Sequence, residues 1–433
     1  MVTEKHGRER EDQVRAIAAK LGVADFVYSA HPVRKGAGHR EASGDGLLLV
    51  GDSGAVLQVK AREPARGAMD LPARAVTWVR KNAAKAAEQG VGTRRELARR
   101  QNARSPMIVY PVRASDMPDD TKARYALAIE QPVEDWPVIV ILDHPKLPAI
   151  DLGFRTDLVW FTFADWGHLQ RRLRSTTATL NYVRRILRDG AHVMLGDERA
   201  RYAALRSADE LSVAGSATAV PYLVDEEDFD ELGADIFHDV IDKVWPHDGI
   251  IPWQSASEYR AIVEFLDAVP PRVQCTVGRW ILRKRSEIHE GRHTSSGLIG
   301  LELRDRLLFA CTRFRHWPSE QDWFAEFSLL TNLRHIQALE SGAPDDTVTL
   351  GVGVLVDDRA DKRGVEYSFV MLKGSASAAP VPKDLRRNFE WRYGIHNHDA
   401  GTTLEPQIAP EALCPCFSGE KFGACCGTGT GDG

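Results

Sequence analysis

The sequence predicts an α/β N-terminal domain, an α+β middle domain and a small metal-binding knuckle at the C-terminus. Three observations predict this. Up to about residue 190, apolar periodicity runs helix, strand, hairpin, helix, strand, the pattern of an α/β unit. At Asp225–Asp242 the composition shifts, with nine acidic residues in eighteen. Near the end, four of the six cysteines fall within thirteen residues. The domains so read are 1–190, 215–375, a linker over 376–410 and a knuckle over 411–427. A length of 433 residues suits two or three domains with sizeable cores.

Taken in order, residues 8–21 predict a helix, with Val14, Ile17, Ala18 and Leu21 on one stripe and Gly22 at its end. Phe26–Ser29 is a short strand, and His31–Gly44 a loop. Leu47–Val50 and Ala55–Ala61 are strands joined by Gly51-Asp52-Ser53-Gly54, a strong hairpin signal. Pro72–Arg100 is helical, with a break expected near Gly90–Gly92. Met107–Val112, Val138–Leu142 and Leu158–Phe163 are strands. Asp165 is expected to cap one long helix, Trp166–Arg188, with Trp166, Leu169, Leu173, Leu180, Val183 and Leu187 as its apolar stripe. In the middle domain, Ser257–Ala268 and Ser319–Glu340 predict helices, Leu301–Cys311 a strand, and Thr347–Val356 with Val365–Leu372 a hairpin.

Hydrophobic residues are 43% and charged residues 27%, which excludes a disordered chain, a collagen and a small disulfide scaffold. No apolar run approaches a membrane span, and the N-terminus shows no signal-peptide core, so the expected compartment is cytoplasmic and reducing. The net charge of −5 is unevenly spread. Residues 1–105 carry 20 Lys and Arg against 12 Asp and Glu, a net +8, and the remainder is −13. Such a basic N-terminal quarter fits either an anionic partner or an ordinary solvated surface.

The cysteine cluster has the spacing C-x-C-x8-C-C, formed by Cys414, Cys416, Cys425 and Cys426. Four thiolates make a closed tetrahedral site, and they select a borderline ion such as Zn²⁺. A segment this short builds no apolar core, so metal binding supplies its folding energy. The stretch resembles the SEC-C motif, the zinc-binding C-terminus of the preprotein translocase motor, which also occurs on many unrelated bacterial proteins. Pro415, Ser418, Gly419 and Gly427 match its scaffold, whereas Phe417 stands in place of a usual Gly and Gly423-Ala424 in place of a commonly basic pair. The resemblance implies structural zinc and docking on a protein partner such as a chaperone or ribosome. It does not imply the motor, because the chain has no G-x-x-x-x-G-K-[ST] loop. Cys275 and Cys311 read as buried structural thiols.

A second constellation spans Asp45 to Lys60. Gln58 and Lys60 lie i, i+2 on a strand and share a face, and the hairpin brings Asp45 within one or two residues of position 60. A carboxylate, an amide and an ammonium then converge, which suits phosphodiester hydrolysis. Asp45 and Gln58, with the Val59 carbonyl, would hold Mg²⁺ or Mn²⁺, and Lys60 would orient the attacking water and neutralise charge. This arrangement resembles the PD-(D/E)xK restriction-endonuclease fold in its Mrr-like Q-x-K form, over residues 5–110 and as far as 190. The resemblance implies a restriction-endonuclease-like α/β domain. It implies Glu9 or Glu11 on the first helix as a further acid, with Glu11 preferred, and Lys81, Lys85 and Gln89 on the following helix as nucleic-acid contacts. Gln58 in place of an acid lowers the negative charge of the site. Glu41, near His39, is either a further metal ligand or a plain loop residue.

His289-Glu290-Gly291-Arg292-His293 matches H-E-x-x-H formally, but Gly291 and the following Thr-Ser-Ser-Gly disfavour the continuous helix that a zinc protease needs. Neither G-x-S-x-G nor G-x-G-x-x-G is present. Arg279–Arg285 reads as a solvated strand face or as a nucleic-acid contact. Two functions are therefore expected. The first is a metal-dependent endonuclease acting on nucleic acid, with DNA the expected substrate. The second is a zinc-binding adapter whose nuclease-like domain binds nucleic acid without cutting it.

Overall fold

In this computed structural model the described residues are 2–29, 32–35, 39–42, 45–62, 72–114, 117–118, 122–213, 223–225, 227, 229–244, 256–289, 297–303, 306–314, 320–357, 364–383 and 386. They are of mixed α/β class and divide between two compact units, the first essentially residues 1–215 and the second most of the remainder.

The first unit is built on a five-stranded mixed sheet. Helix α1 (Val2–Leu21) leads through a single 3-10 turn into β1 (Val27–Tyr28). Two short strands, β2 (Pro32–Lys35) and β3 (His39–Ala42), pair with each other inside the segment expected to be a loop. The hairpin β4 (Gly46–Val50) and β5 (Ser53–Ala61) turns at Gly51, whose φ of +51° is the left-handed conformation that glycine adopts without strain. Helix α2 (Pro72–Asn102) follows, then the short pair β6 (Ile108–Val109) and β7 (Leu127–Ala128), then β8 (Val138–Asp143) and β9 (Leu158–Thr162). The sheet order is β1-β4-β5-β8-β9, antiparallel from β1 to β5 and parallel from β5 to β9.

Strand alternation sorts the two faces. Val56, Val138, Val140 and Leu142 pack with Val79, Ala83, Ala86 and Ala87 of α2. On the other face Phe161 meets Trp166, whose Nε1 donates to the Val14 carbonyl of α1 at 3.2 Å. The α2 helix runs unbroken through Gly90. A Cβ there would lie 2.2 Å from Val138 Cγ1, so this glycine lets the helix approach the sheet and does not end it.

The single helix expected over Trp166–Arg188 is two helices, α3 (Phe163–Leu173) and α4 (Thr176–Asp189). Arg174 takes φ +49° and closes α3, and the Ser175 hydroxyl accepts the Ala178 N–H to open α4. Thr162, not Asp165, is the N-cap of α3; Asp165 is its capping-box partner three residues on. Helix α5 (Glu198–Val213), which the apolar pattern does not announce, closes the unit.

The second unit has helices α6 (Glu231–Val244), α7 (Ala256–Asp267) and α8 (Pro271–His289). They are followed by a four-stranded sheet of β10 (Gly297–Leu303), β11 (Arg306–Phe314), β12 (Val348–Asp357) and β13 (Gly364–Lys373) in that order. Helix α9 (Glu320–Glu340) connects the parallel pair β11 and β12, and stacks Trp323 and Phe327 over Gly353. The expected strand at Leu301–Cys311 is thus a hairpin, and Arg279–Arg285 is helical, not a strand face. Where α6 and α8 cross, the backbones nearly touch: a Cβ on Gly278 would lie 1.8 Å from the Gly233 carbonyl oxygen. Among the described residues no helix is long and apolar enough to cross a membrane.

Candidate functional site

The carboxyl end of β5 carries the site. The register Gly46↔Leu57 puts Asp45 one step beyond the paired part of β4, level with Gln58 and two positions from Lys60. Its backbone N–H donates to the Leu57 carbonyl at 3.1 Å, and its Oδ2 accepts the Val59 N–H at 2.6 Å. The Lys60 Nζ lies 3.8 Å from the same oxygen and donates to the Val59 carbonyl at 3.1 Å. Hairpin register and one side chain-to-backbone bond thus fix the carboxylate beside the ammonium.

Glu11 joins them from α1, which packs against β5 on the face opposite α2. Its pKa is pushed up to about 7, first by burial and then by the negative charge of Asp45, against the relief from Arg15 and Lys60. Asp45 is also raised, by burial first, and opposed by Lys60, the Val59 N–H and Arg15. Arg15 donates to the Asp45 carbonyl and pairs with Asp12, tying α1 to the start of β4. Of the two candidate acids on α1, Glu9 is exposed and Glu11 faces the cluster.

Gln58 shares the strand face of Lys60, but is buried beneath α2 at 2% exposure, with its Cγ beside Gly90. Its Nε2 is buried without a hydrogen-bond partner. Lys81, Lys85 and Gln89 are exposed, on the side of α2 turned away from the stripe Ala75, Val79, Ala83, Ala86, Gly90 that packs on the sheet. The structure therefore brings together Glu11, Asp45 and Lys60, seats Gln58 on the strand face of Lys60 but deeper, beneath α2, and leaves the three α2 residues apart. His39 and Glu41 lie on β3, with side chains outside the described residues; Cys414, Cys416, Cys425, Cys426 and Glu290–His293 of the H-E-x-x-H string lie wholly outside them.

Beside the expected residues stand others. Arg10 reaches from α1 to Asp143 at the end of β8 (2.6 Å) and lies over the Phe163 ring, 4.5 Å from its centroid. Arg62 and His144, one step past β5 and β8, approach each other at 2.9 Å. The alternation Gln58, Lys60, Arg62 was the available signal for Arg62; His144 had none, because its place depends on the parallel pairing of β8 with β5.

Were a metal held here, the Glu11 and Asp45 carboxylates, as hard oxygen ligands, would suit Mg²⁺ or Mn²⁺, which keep several waters and take one or two carboxylates. Among the described residues no group of three or more His, Cys, Asp and Glu side chains is placed to hold a metal. No family model matches the chain, and neither a curated protein nor a solved structure matches it.

Proposed function

We propose that this protein is a metal-dependent endonuclease acting on nucleic acid, with DNA the expected substrate, and with a structural zinc knuckle of SEC-C type at its tail. The observation that carries the reading is the convergence of Glu11, Asp45 and Lys60 on a hairpin strand that continues into a parallel α/β sheet. Glu11 and Asp45, with Gln58, would hold the Mg²⁺ or Mn²⁺. When bound, the ion supplies Lewis-acid polarisation of a phosphoryl oxygen and a more acidic water.

The chain's own residues do the rest. Lys60, anchored through the Val59 carbonyl, presents an ammonium to the charge that develops on the phosphate oxygens and fixes the direction of attack. Asp45 is held in place by the Val59 N–H, so its carboxylate needs no reorganisation during reaction. Burial and the neighbouring Asp45 push the pKa of Glu11 up to about 7, so this carboxyl would give up its proton near neutrality as the ion binds.

The test is cleavage of plasmid and single-stranded DNA with Mg²⁺ or Mn²⁺, comparing the wild type with Asp45→Ala and Lys60→Ala in preparations made without chelator. A loss of roughly 10²–10⁴-fold in each variant is expected. Cutting by all three would mean a contaminant. The neutral, buried Gln58 favours a second reading, a zinc-binding adapter that docks on a protein partner and binds nucleic acid without cutting. In that case the wild type is silent, and replacing Cys425 and Cys426 abolishes docking.

A further inference from the structure

We propose that the outer face of α2 is a sequence-independent track for a nucleic-acid backbone leading away from the site at Lys60, which rests on the nucleic-acid reading of that site. The positive charge of the first 105 residues is concentrated on this helix. Helix α2 holds eight Lys and Arg against Glu88 and Glu96, a net +6 of the +8 carried by residues 1–105. At about 100° per residue, Arg74, Lys81, Lys85, Arg95 and Arg99 fall within about 80° of the helix circumference. All five are exposed, opposite the stripe of Ala and Val that packs on the sheet. From Arg74 to Arg99 the face runs about 38 Å, close to one turn of a duplex at about 34–36 Å.

These charges have no counterpart within the fold. Arg74, Lys81, Lys85 and Arg95 form no ion pair among the described residues. Glu96 is shared between Arg99 and Arg100, at 2.8 and 2.9 Å, which leaves one positive charge over at that end. Glu88 is the one acid of α2 left on the face. Lys81 and Lys85, four residues apart, repel each other on the helix surface, and a polyanion laid along the face relieves that repulsion. The company of the charges selects the polyanion. Thr77, Ala84, Gln89 and Gly92 are the exposed residues among and beside the cations, and no large apolar side chain of α2 is exposed. A membrane would require apolar side chains to enter the lipid, and a protein partner an apolar or aromatic centre. A phosphate backbone requires only Lys, Arg and hydrogen-bonding side chains. The face begins beside the site. Trp78, in the second turn of α2, lies against the ring of His144, with centroids 5.2 Å apart, one step past the carboxyl end of β8, and that end pairs with the end of β5 that carries Lys60. Lys81 and Lys85 thus contact flanking phosphates, not the reacting one.

The measurement is fluorescence-anisotropy binding of a labelled duplex of mixed sequence to the full chain, without added divalent ion, over a range of salt. Wild type is compared with the triple variant Lys81→Gln, Lys85→Gln, Arg95→Gln. A control removes as much charge from other exposed positions of the first unit, through Arg171→Gln, Arg188→Gln and Arg199→Gln. The α2 variant is expected to bind roughly 10²-fold more weakly at about 0.1 M salt, whatever the sequence, and to lower the salt slope by about 2.7, or about 0.9 for each lost phosphate contact. The control should keep the wild-type slope. Equal losses in the two variants would mean a general charge effect and overturn the track. So would an α2 variant with wild-type melting, affinity and slope, or a wild type that binds no duplex. Displacement of the duplex by a polyglutamate peptide at equal charge concentration would assign the face to an acidic protein and overturn the track as well. A wild type that binds through α2 but cuts nothing with Mg²⁺ removes the endonuclease and leaves the track standing. Wild-type cutting matched by an α2 variant that binds equally well removes the track and leaves the endonuclease.

Discussion

Replacing Glu11 by Gln should change how the protein responds to pH, and the size of the change follows from its surroundings. With its pKa pushed up to about 7, Glu11 binds its proton more tightly in the folded chain than in the unfolded chain. The stability this contributes is fully present below the unfolded value near 4.5 and is lost as pH rises through 7. Discounted for the water that reaches this half-buried carboxyl, the loss is about 1–2 kcal/mol. Metal binding has the opposite sense, because it requires the carboxylate. Roughly one-tenth of Glu11 is ionised at pH 6 and roughly nine-tenths at pH 8, so apparent Mg²⁺ affinity should rise about tenfold across that interval. Urea unfolding of the first unit at pH 5 to 8, and Mg²⁺ titration by calorimetry at pH 6 and 8, read the two effects. Glu11→Gln should flatten both. A variant with the wild-type slope in either measurement would refute the assignment of that proton to Glu11.

Three other outcomes are expected. Gly278→Ala places a methyl against the Gly233 carbonyl, and forcing α6 and α8 apart should cost about 3 kcal/mol, only partly offset by about 1 kcal/mol of helix propensity; urea unfolding of the second unit should show a net loss. One zinc per chain should be detected by atomic absorption and lost on joint replacement of Cys425 and Cys426 by Ser, with first-unit melting unchanged. Gln58→Glu buries a third carboxyl beside two whose pKa values are already raised, so it should lower the melting temperature without metal and recover part of the loss with Mg²⁺; a variant as stable as wild type in both conditions would show that Gln58 lies outside the charged cluster.

Those parts of the fold that depend on local chemistry are legible in the residues themselves. Gly51 to Gly54 announces the hairpin, and strand alternation places Lys60 on the face of Gln58, so the approach of Asp45 follows from turn and alternation alone. Glycine and helix breaks are harder to read, because each depends on what lies across the interface. Gly90 resembles a break but serves a close approach to Val138, whereas the real break at Arg174 is hidden under an apolar stripe that continues across it from Leu173 to Leu180. Only the cap chemistry of Ser175 marks it.

The same distinction governs the site. Asp45 and Lys60 are joined by a hairpin of sixteen residues, within reach of a pattern argument, and Glu11 follows from helical phase once α1 is known to lie on β5. His144 meets Arg62 across 82 positions, through a crossover helix and a parallel pairing whose register no local signal sets. A charged site of this architecture therefore divides into a sequence-local half, where an acid and a lysine are specified by turn and alternation, and a topological half at the ends of the parallel strands.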